Sequence, residues 1–277
     1  MKIPNKHLSW QRLSFDWKEK RIALPFLLAI LLLPTQNTAQ GLVFSELSWK
    51  ESKELARRTG KNLFVDAYTS WCAPCKMLQE FTFPDSALGA YFNAHFINVK
   101  VDLEKGEGPL LNQDWVINAY PTLLFFDTSG TEVHRSVGYF SANELLEIGE
   151  QANNPEYQLA RLKQAFLEGN CPTDLLTLLL KTLERAADPL ATRVANFYLL
   201  QQNNYQPLEL QKWILTYADD PEQPAFRYLL KNKTEFARRF GKDRVDARIE
   251  IVIHQYLQLH PDLPPAQVKR LKKYIKP

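Results

Sequence analysis

Cys72 and Cys75 stand two residues apart in Trp71-Cys72-Ala73-Pro74-Cys75-Lys76, directly after the apolar run Asn62-Leu63-Phe64-Val65-Asp66-Ala67-Tyr68. Two thiols at this spacing, at the start of a helix, can close and reopen a small disulfide without refolding the chain. The helix N-terminus carries partial positive charge, which stabilises a thiolate on the first cysteine and marks Cys72 as the nucleophile. Pro74 fixes the turn and removes a backbone donor that the first helical turn cannot use. The pattern predicts reversible thiol–disulfide exchange.

The competing chemistry for two such cysteines is half of a structural zinc site. Tetrahedral zinc needs two further Cys or His ligands, usually as a second close pair. The third cysteine, Cys171, lies far downstream, and His7, His95, His134, His254 and His260 are scattered without a matching spacing. No metal and no cofactor are expected. A purely structural disulfide closing so short a loop would constrain the unfolded chain little. Cys171 reads as a helix-flanking thiol that packs as a small hydrophobe, or as a site of intermolecular pairing.

The elements that must position the dithiol alternate from Leu42 to Asn153. Ser48-Trp49-Lys50-Glu51 is a capping box opening a helix that stops at Gly60. The strand Asn62–Tyr68 follows, then the cysteine helix, which ends before Pro84. Ala87, Leu88, Tyr91 and Phe92 have helical spacing, and Phe96 to Asp102 reads as a strand. Glu104 to Pro109 is expected as a loop and Leu110 to Ile117 as a short helix. Thr122–Phe126 and Glu132–Val137 form strands around the turn Asp127-Thr128-Ser129-Gly130. Ser141 and Glu144 make a second capping box. The order β-α-β-α-β-α-β-β-α, with a first strand near Leu42, implies a mixed sheet with helices on both faces.

This order and motif set resembles the thioredoxin superfamily. Trp71 to Lys76 is similar to the family's Trp-Cys-Gly-Pro-Cys-Lys, with Ala73 in place of Gly. Asp66, six residues before Cys72, stands where thioredoxins carry a buried acid. Tyr120-Pro121-Thr122 is similar to the cis-proline loop that faces the disulfide, and Val137-Gly138 precedes the last helix as in that family. The segment between Phe81 and Phe96 is longer than in small thioredoxins and looks like that of exported bacterial relatives. The resemblance implies an α/β thioredoxin-like fold over residues 41–153. It implies Cys72 as attacking and Cys75 as resolving thiol, Asp66 as proton relay, and a cis Pro121 exposing the backbone of Tyr120 and Thr122 to substrate. Trp71 and Pro74 would join that contact surface. Lys100 is near, but out of register with, the lysine that partners the acid in classical thioredoxins, which leaves the partner of Asp66 open.

From residue 154 to 277 the signals are helical only, an all-α domain. Leu159, Leu162 and Phe166 make one stripe and Ile249, Ile253, Tyr256 and Leu257 another, read as core faces. Breaks at Gly169–Pro172, Asp188-Pro189, Asn203-Asn204, Asp219–Pro221, Gly241 and His260-Pro261 delimit seven helices. The formal net charge is +3 over 277 residues, with Lys and Arg spread throughout, so no nucleic-acid stripe is present. Residues 1–40 hold scattered Lys and Arg, the apolar run Ile22–Leu33 and a small, polar exit. That is the form of a secretory signal peptide, or of an anchor if it is retained.

These readings converge on an exported, periplasmic thiol:disulfide oxidoreductase that reduces or isomerises protein disulfides and is recharged by a membrane electron donor. An oxidative folding catalyst stays open, because two residues between the cysteines do not set a potential. The alternative of another class is a binding or assembly platform, in which the helical half holds a client and exchange is incidental.

Overall fold

A computed structural model describes residues 40–170 and 172–275 of the chain. The expected signal segment and Cys171 lie outside the described residues. The described residues cluster as one unit.

The first half is built on four strands: β1 (Asn62–Tyr68), β2 (Phe96–Asp102), β3 (Thr122–Phe126) and β4 (Glu132–Val137). They lie in the order β2-β1-β3-β4, with β1 parallel to β2 and antiparallel to β3, and β4 antiparallel to β3. β1 and β3 are central and buried on both faces, which explains their nearly continuous apolar sequences. One face holds Leu63, Val65, Val99, Val101, Trp115, Leu124 and Phe126; the other holds Phe64, Leu78, Phe92, Phe96, Leu123, Phe125 and Ile148. The strand expected near Leu42 is reduced to a single parallel bridge between Ser45 and Val99.

Helix α1 (Trp49–Thr59) begins on the Ser48/Glu51 capping box and ends at Gly60, whose φ of 70° is the left-handed conformation glycine tolerates. Helix α2 (Ala73–Met77) carries the cysteines and runs into a π-helical turn, Leu78–Thr82. Helix α3 is Ser86–His95, capped by Asp85, and α4 is Gly108–Trp115. The predicted loop thus ends two residues early: Pro109 sits in the first turn of α4, where its missing N–H leaves no intrahelical bond unmade. Helix α5 (Ala142–Asn153) opens on the Ser141/Glu144 box.

The second half contains eight helices among the described residues, not seven: α6 (Leu159–Leu167), α7 (Thr173–Arg185), α8 (Leu190–Leu200), α9 (Leu208–Tyr217), α10 (Pro224–Lys231), α11 (Lys233–Phe240), α12 (Lys242–Leu259) and α13 (Pro265–Lys272). The extra boundary is Asn232, at φ −107° and ψ 24°, which closes α10 and opens α11 without a Gly or Pro signal. The predicted stripes are core: Leu159, Leu162, Ile249 and Ile253 are buried in one cluster with Leu179, Trp213 and Phe226. The two halves meet at β4, against which α6 and α7 pack. There the Leu159 N–H donates to Nδ1 of buried His134 (3.1 Å), and Arg185 of α7 approaches Glu147 of α5 (3.7 Å).

Candidate active site

Strand β1 delivers the chain through the sheet core and ends at Tyr68, so the turn that follows emerges at the sheet's end. Cys72 then serves as N-cap of α2, in extended conformation, with Pro74 in the first helical turn. The Cys75 N–H donates to Cys72 Sγ (3.1 Å), one of the orphan donors at the helix start turned onto the sulfur. Such a donor stabilises a thiolate at Cys72 more than a neutral thiol. Cys72 and Cys75 form a disulfide with S–S 2.03 Å, and both are buried. Lys76 is exposed in the same turn.

Trp71 is 63% exposed beside the buried pair. Its ring stands edge-on to Tyr120 (5.7 Å between centroids), and its Nε1 donates to Glu104 Oε1 (2.9 Å). The Tyr120–Pro121 peptide bond is cis. Thr122, at the start of β3, donates its hydroxyl to the Ala119 carbonyl (2.8 Å) and so ties down the turn before the proline. Met77 and Phe81, four residues apart on the helical run after the cysteines, are both exposed. Trp71, Met77 and Phe81 are thus exposed apolar side chains on the segment that carries the dithiol.

Asp66 is fully buried in β1, and neither carboxylate oxygen has a hydrogen-bond partner. Burial pushes its pKa from 3.8 up to about 7, against the opposing pull of the Lys100 ammonium. The sequence left this partner open, with Lys100 out of register with the lysine of classical thioredoxins; in the structure Lys100 stands opposite Asp66 across β1 and β2. Its Nζ is 3.9 Å from Asp66 Oδ2, and burial pulls the Lys100 pKa down. An unsolvated carboxyl group titrating near neutrality can take up and release a proton at physiological pH.

Of the residues singled out from sequence, Trp71, Cys72, Pro74 and Cys75 stand together on the turn and α2. Tyr120, Pro121 and Thr122 join them through the Trp71–Tyr120 contact, and Asp66 lies in the strand that leads to them. Sequence reasoning missed Glu104, which fixes the Trp71 ring from the loop after β2, because no local pattern links residues 33 apart. It also missed the aromatic ring set around Lys100, formed by Phe44, Tyr68 and Phe83. Among the described residues no group of three or more His, Cys, Asp or Glu could hold a metal ion, and no helix is long and apolar enough to cross a membrane.

Residues 49–153 match the family described as a thioredoxin-like domain. A thiol:disulfide interchange protein, DsbD, of Actinobacillus pleuropneumoniae serotype 5b is 32% identical over 98 residues, which is 34% of this chain and 17% of the relative. DsbD of Tatumella citrea is 31% identical over 117 residues, 40% of this chain and 20% of that protein. This chain thus spans about a fifth of the length of the curated relatives it matches. A solution structure from Bacteroides thetaiotaomicron, provisionally described as a disulphide-isomerase, is 45% identical, covers 41% of this chain and 93% of its own, and has a TM-score of 0.37.

Proposed function

Because residues 49–153 belong to the thioredoxin-like domain family, we propose that the chain is an exported thiol:disulfide oxidoreductase that reduces or isomerises disulfides in other proteins. The observation that carries this reading is the Cys72–Cys75 disulfide at the N-terminus of α2, with the Cys75 N–H on Cys72 Sγ. In the reduced protein the Cys72 thiolate attacks one sulfur of a substrate disulfide. A Cys72–substrate bond forms, and the other substrate sulfur leaves as a thiolate that takes a proton from water. Cys75 then gives its proton to the Asp66 carboxylate and attacks Cys72 Sγ. The mixed disulfide breaks, the second substrate thiolate departs, and the protein is left oxidised by two electrons while the substrate is reduced by two.

Trp71, Pro74, Tyr120, Pro121 and Thr122 form the contact surface for an extended substrate segment, whose backbone pairs with the loop before β3. The relatives named thiol:disulfide interchange proteins support exchange as the activity, a membrane electron donor would restore the dithiol, and the apolar run Ile22–Leu33 behind scattered Lys and Arg supports export. The test is the equilibrium potential of the Cys72–Cys75 pair. The mature protein carrying Cys171→Ser is poised in graded thiol buffers, and free thiols are counted by mass spectrometry after alkylation. A midpoint near that of thioredoxin, about −270 mV, supports a reductant, whereas one near about −120 mV makes the protein an oxidant. If no reversible disulfide forms across that range, the helical half as a client platform replaces the enzyme.

A further inference from the structure

The segment Gly41–Ser45 crosses the first half as a strap, tied at nearly every residue. The Leu42 N–H donates to the Phe83 carbonyl (2.7 Å) and the Ser45 N–H to the Asn98 carbonyl (2.8 Å). Asn93 accepts from the Val43 N–H (2.9 Å) and donates to the Gly41 carbonyl (3.1 Å), while Asn98 donates to the Val43 carbonyl (3.1 Å). The strap lies so close to α3 that a Cβ on Gly89 would stand 2.3 Å from the Gln40 carbonyl oxygen and 2.5 Å from the Gly41 carbonyl carbon. Backbone, not a yielding side chain, occupies that space, so Gly89 is a condition of the strap's seat.

What the strap carries is Phe44. Its ring centroid lies 4.9 Å from Lys100 Nζ and 5.1 Å from the Phe83 ring, which it meets edge-on. Phe83 and Tyr68 also stand 5.5 Å from the ammonium, within the range where a ring face attracts a cation. Lys100 lines a cavity of about 370 Å³ with Gln40–Phe44, Gln79, Phe83 and Pro84, and its Nζ lies beside the Asp66 carboxylate. It faces both the cavity and the buried acid. The other titratable groups around the pair are Tyr68 on β1, Asp102 on β2 and Lys105 in the next loop. Lys105 and Asp102 satisfy each other at 3.1 Å, and Gly41–Ser45 holds no charged residue.

We propose that the Gly41–Ser45 strap is a positioning element for the Asp66–Lys100 couple, with Phe44 keeping the ammonium beside the carboxylate and limiting the water that reaches both. The strap acts through hydration and the place of Lys100, since it brings no charge of its own. This inference rests on the reading of Asp66 as the proton relay, and it makes the strap a setting for the pH at which the relay works.

The test uses the full chain in its oxidised form and follows the Asp66 carboxyl carbon by NMR through a pH titration. Phe44→Leu removes the ring at modest cost in volume, and Gly89→Ala drives the strap off its seat without touching the couple. A loosened strap admits water and eases the burial that raises Asp66; burial is the larger influence and outweighs the lost pull of a displaced Lys100 ammonium, so Asp66 titrates at lower pH in both variants. The expected change is about tenfold in the carboxylate-to-acid ratio at neutral pH. An unchanged Asp66 titration in Phe44→Leu, with β1 amide shifts intact, overturns the proposal; if Gly89→Ala does not fold, Phe44→Leu alone decides. The pH midpoint of mixed-disulfide resolution by Cys75 is measured alongside. If Asp66 moves and that midpoint stays, the relay role of Asp66 fails while the strap's hold on the couple stands. The two failures are thereby separate.

Discussion

Replacing Asp66 by Asn removes a charge that the fold holds at a cost. Asp66 is fully buried, lacks any hydrogen-bond partner, and titrates at about 7 in the folded chain against 3.8 in the unfolded one. A folded pKa raised above the unfolded value contributes stability that is fully present below pH 3.8 and disappears as pH rises to about 7. At roughly 1.4 kcal/mol per pH unit, the loss above neutrality amounts to about 4 kcal/mol. Asn keeps the shape and cannot ionise. It leaves Lys100 without its carboxylate and adds an amide with no partner, and these two costs return about 1–2 kcal/mol. Asp66→Asn is therefore expected to match the wild type or fall below it at pH 4 and to exceed it by about 2–3 kcal/mol at pH 8. Hydrogen exchange of β1 and β3 amides in the oxidised protein measures this for the sheet half by itself, separately from the helical half. A difference between the two proteins that does not change from pH 4 to pH 8 refutes the argument. The same variant should resolve mixed disulfides slowly near neutrality, which makes Asp66 a residue kept against stability.

His134 carries the opposite pH dependence. Burial, and then the Arg185 charge, pull its pKa from 6.5 down to about 4, so folding disfavours its protonation. Its contribution is present above pH 6.5 and is lost as pH falls to about 4, a change of about 3 kcal/mol; His134→Gln should flatten the stability profile over this window in urea titrations. Cys75→Ser should trap a covalent adduct with a disulfide-containing peptide through Cys72, seen as added mass, whereas Cys72→Ser should trap none. Ser141→Ala removes the acceptor for the Glu144 N–H and the partner of its carboxylate at the start of α5, and should cost about 1 kcal/mol in denaturant unfolding.

Much of the sheet half was legible because each boundary has a local cause. The Ser48/Glu51 and Ser141/Glu144 boxes announce their helices, Gly60 and Gly130 take left-handed conformations that end a helix and turn a hairpin, and alternating apolar runs mark the strands. Trp71 to Cys75 was equally plain, since both the chemistry and the helix start lie within five residues. What escaped depends on which distant residues meet. Pairing of Asp66 with Lys100 is set by the parallel register of β1 on β2, and a shift of one residue would have turned Lys100 to the other face. The strand expected near Leu42 became a strap because its backbone bonds go largely to Asn side chains and to Phe83, not to a neighbouring strand. Asn232 divides α10 from α11 through a backbone conformation that its residue type allows but does not demand.

Both borders of the four-stranded sheet have company. Along β2 it is the strap, bridged at Ser45 to Val99; along β4 it is the helical half, packed through α6 and α7. A bare border strand offers unpaired backbone groups to any other chain, and is a common start of sheet-to-sheet aggregation. Cutting the chain after residue 153 would uncover β4 and leave His134 Nδ1 without the Leu159 N–H. The excised sheet half is then expected to associate with itself as its concentration rises, which light scattering across a dilution series checks.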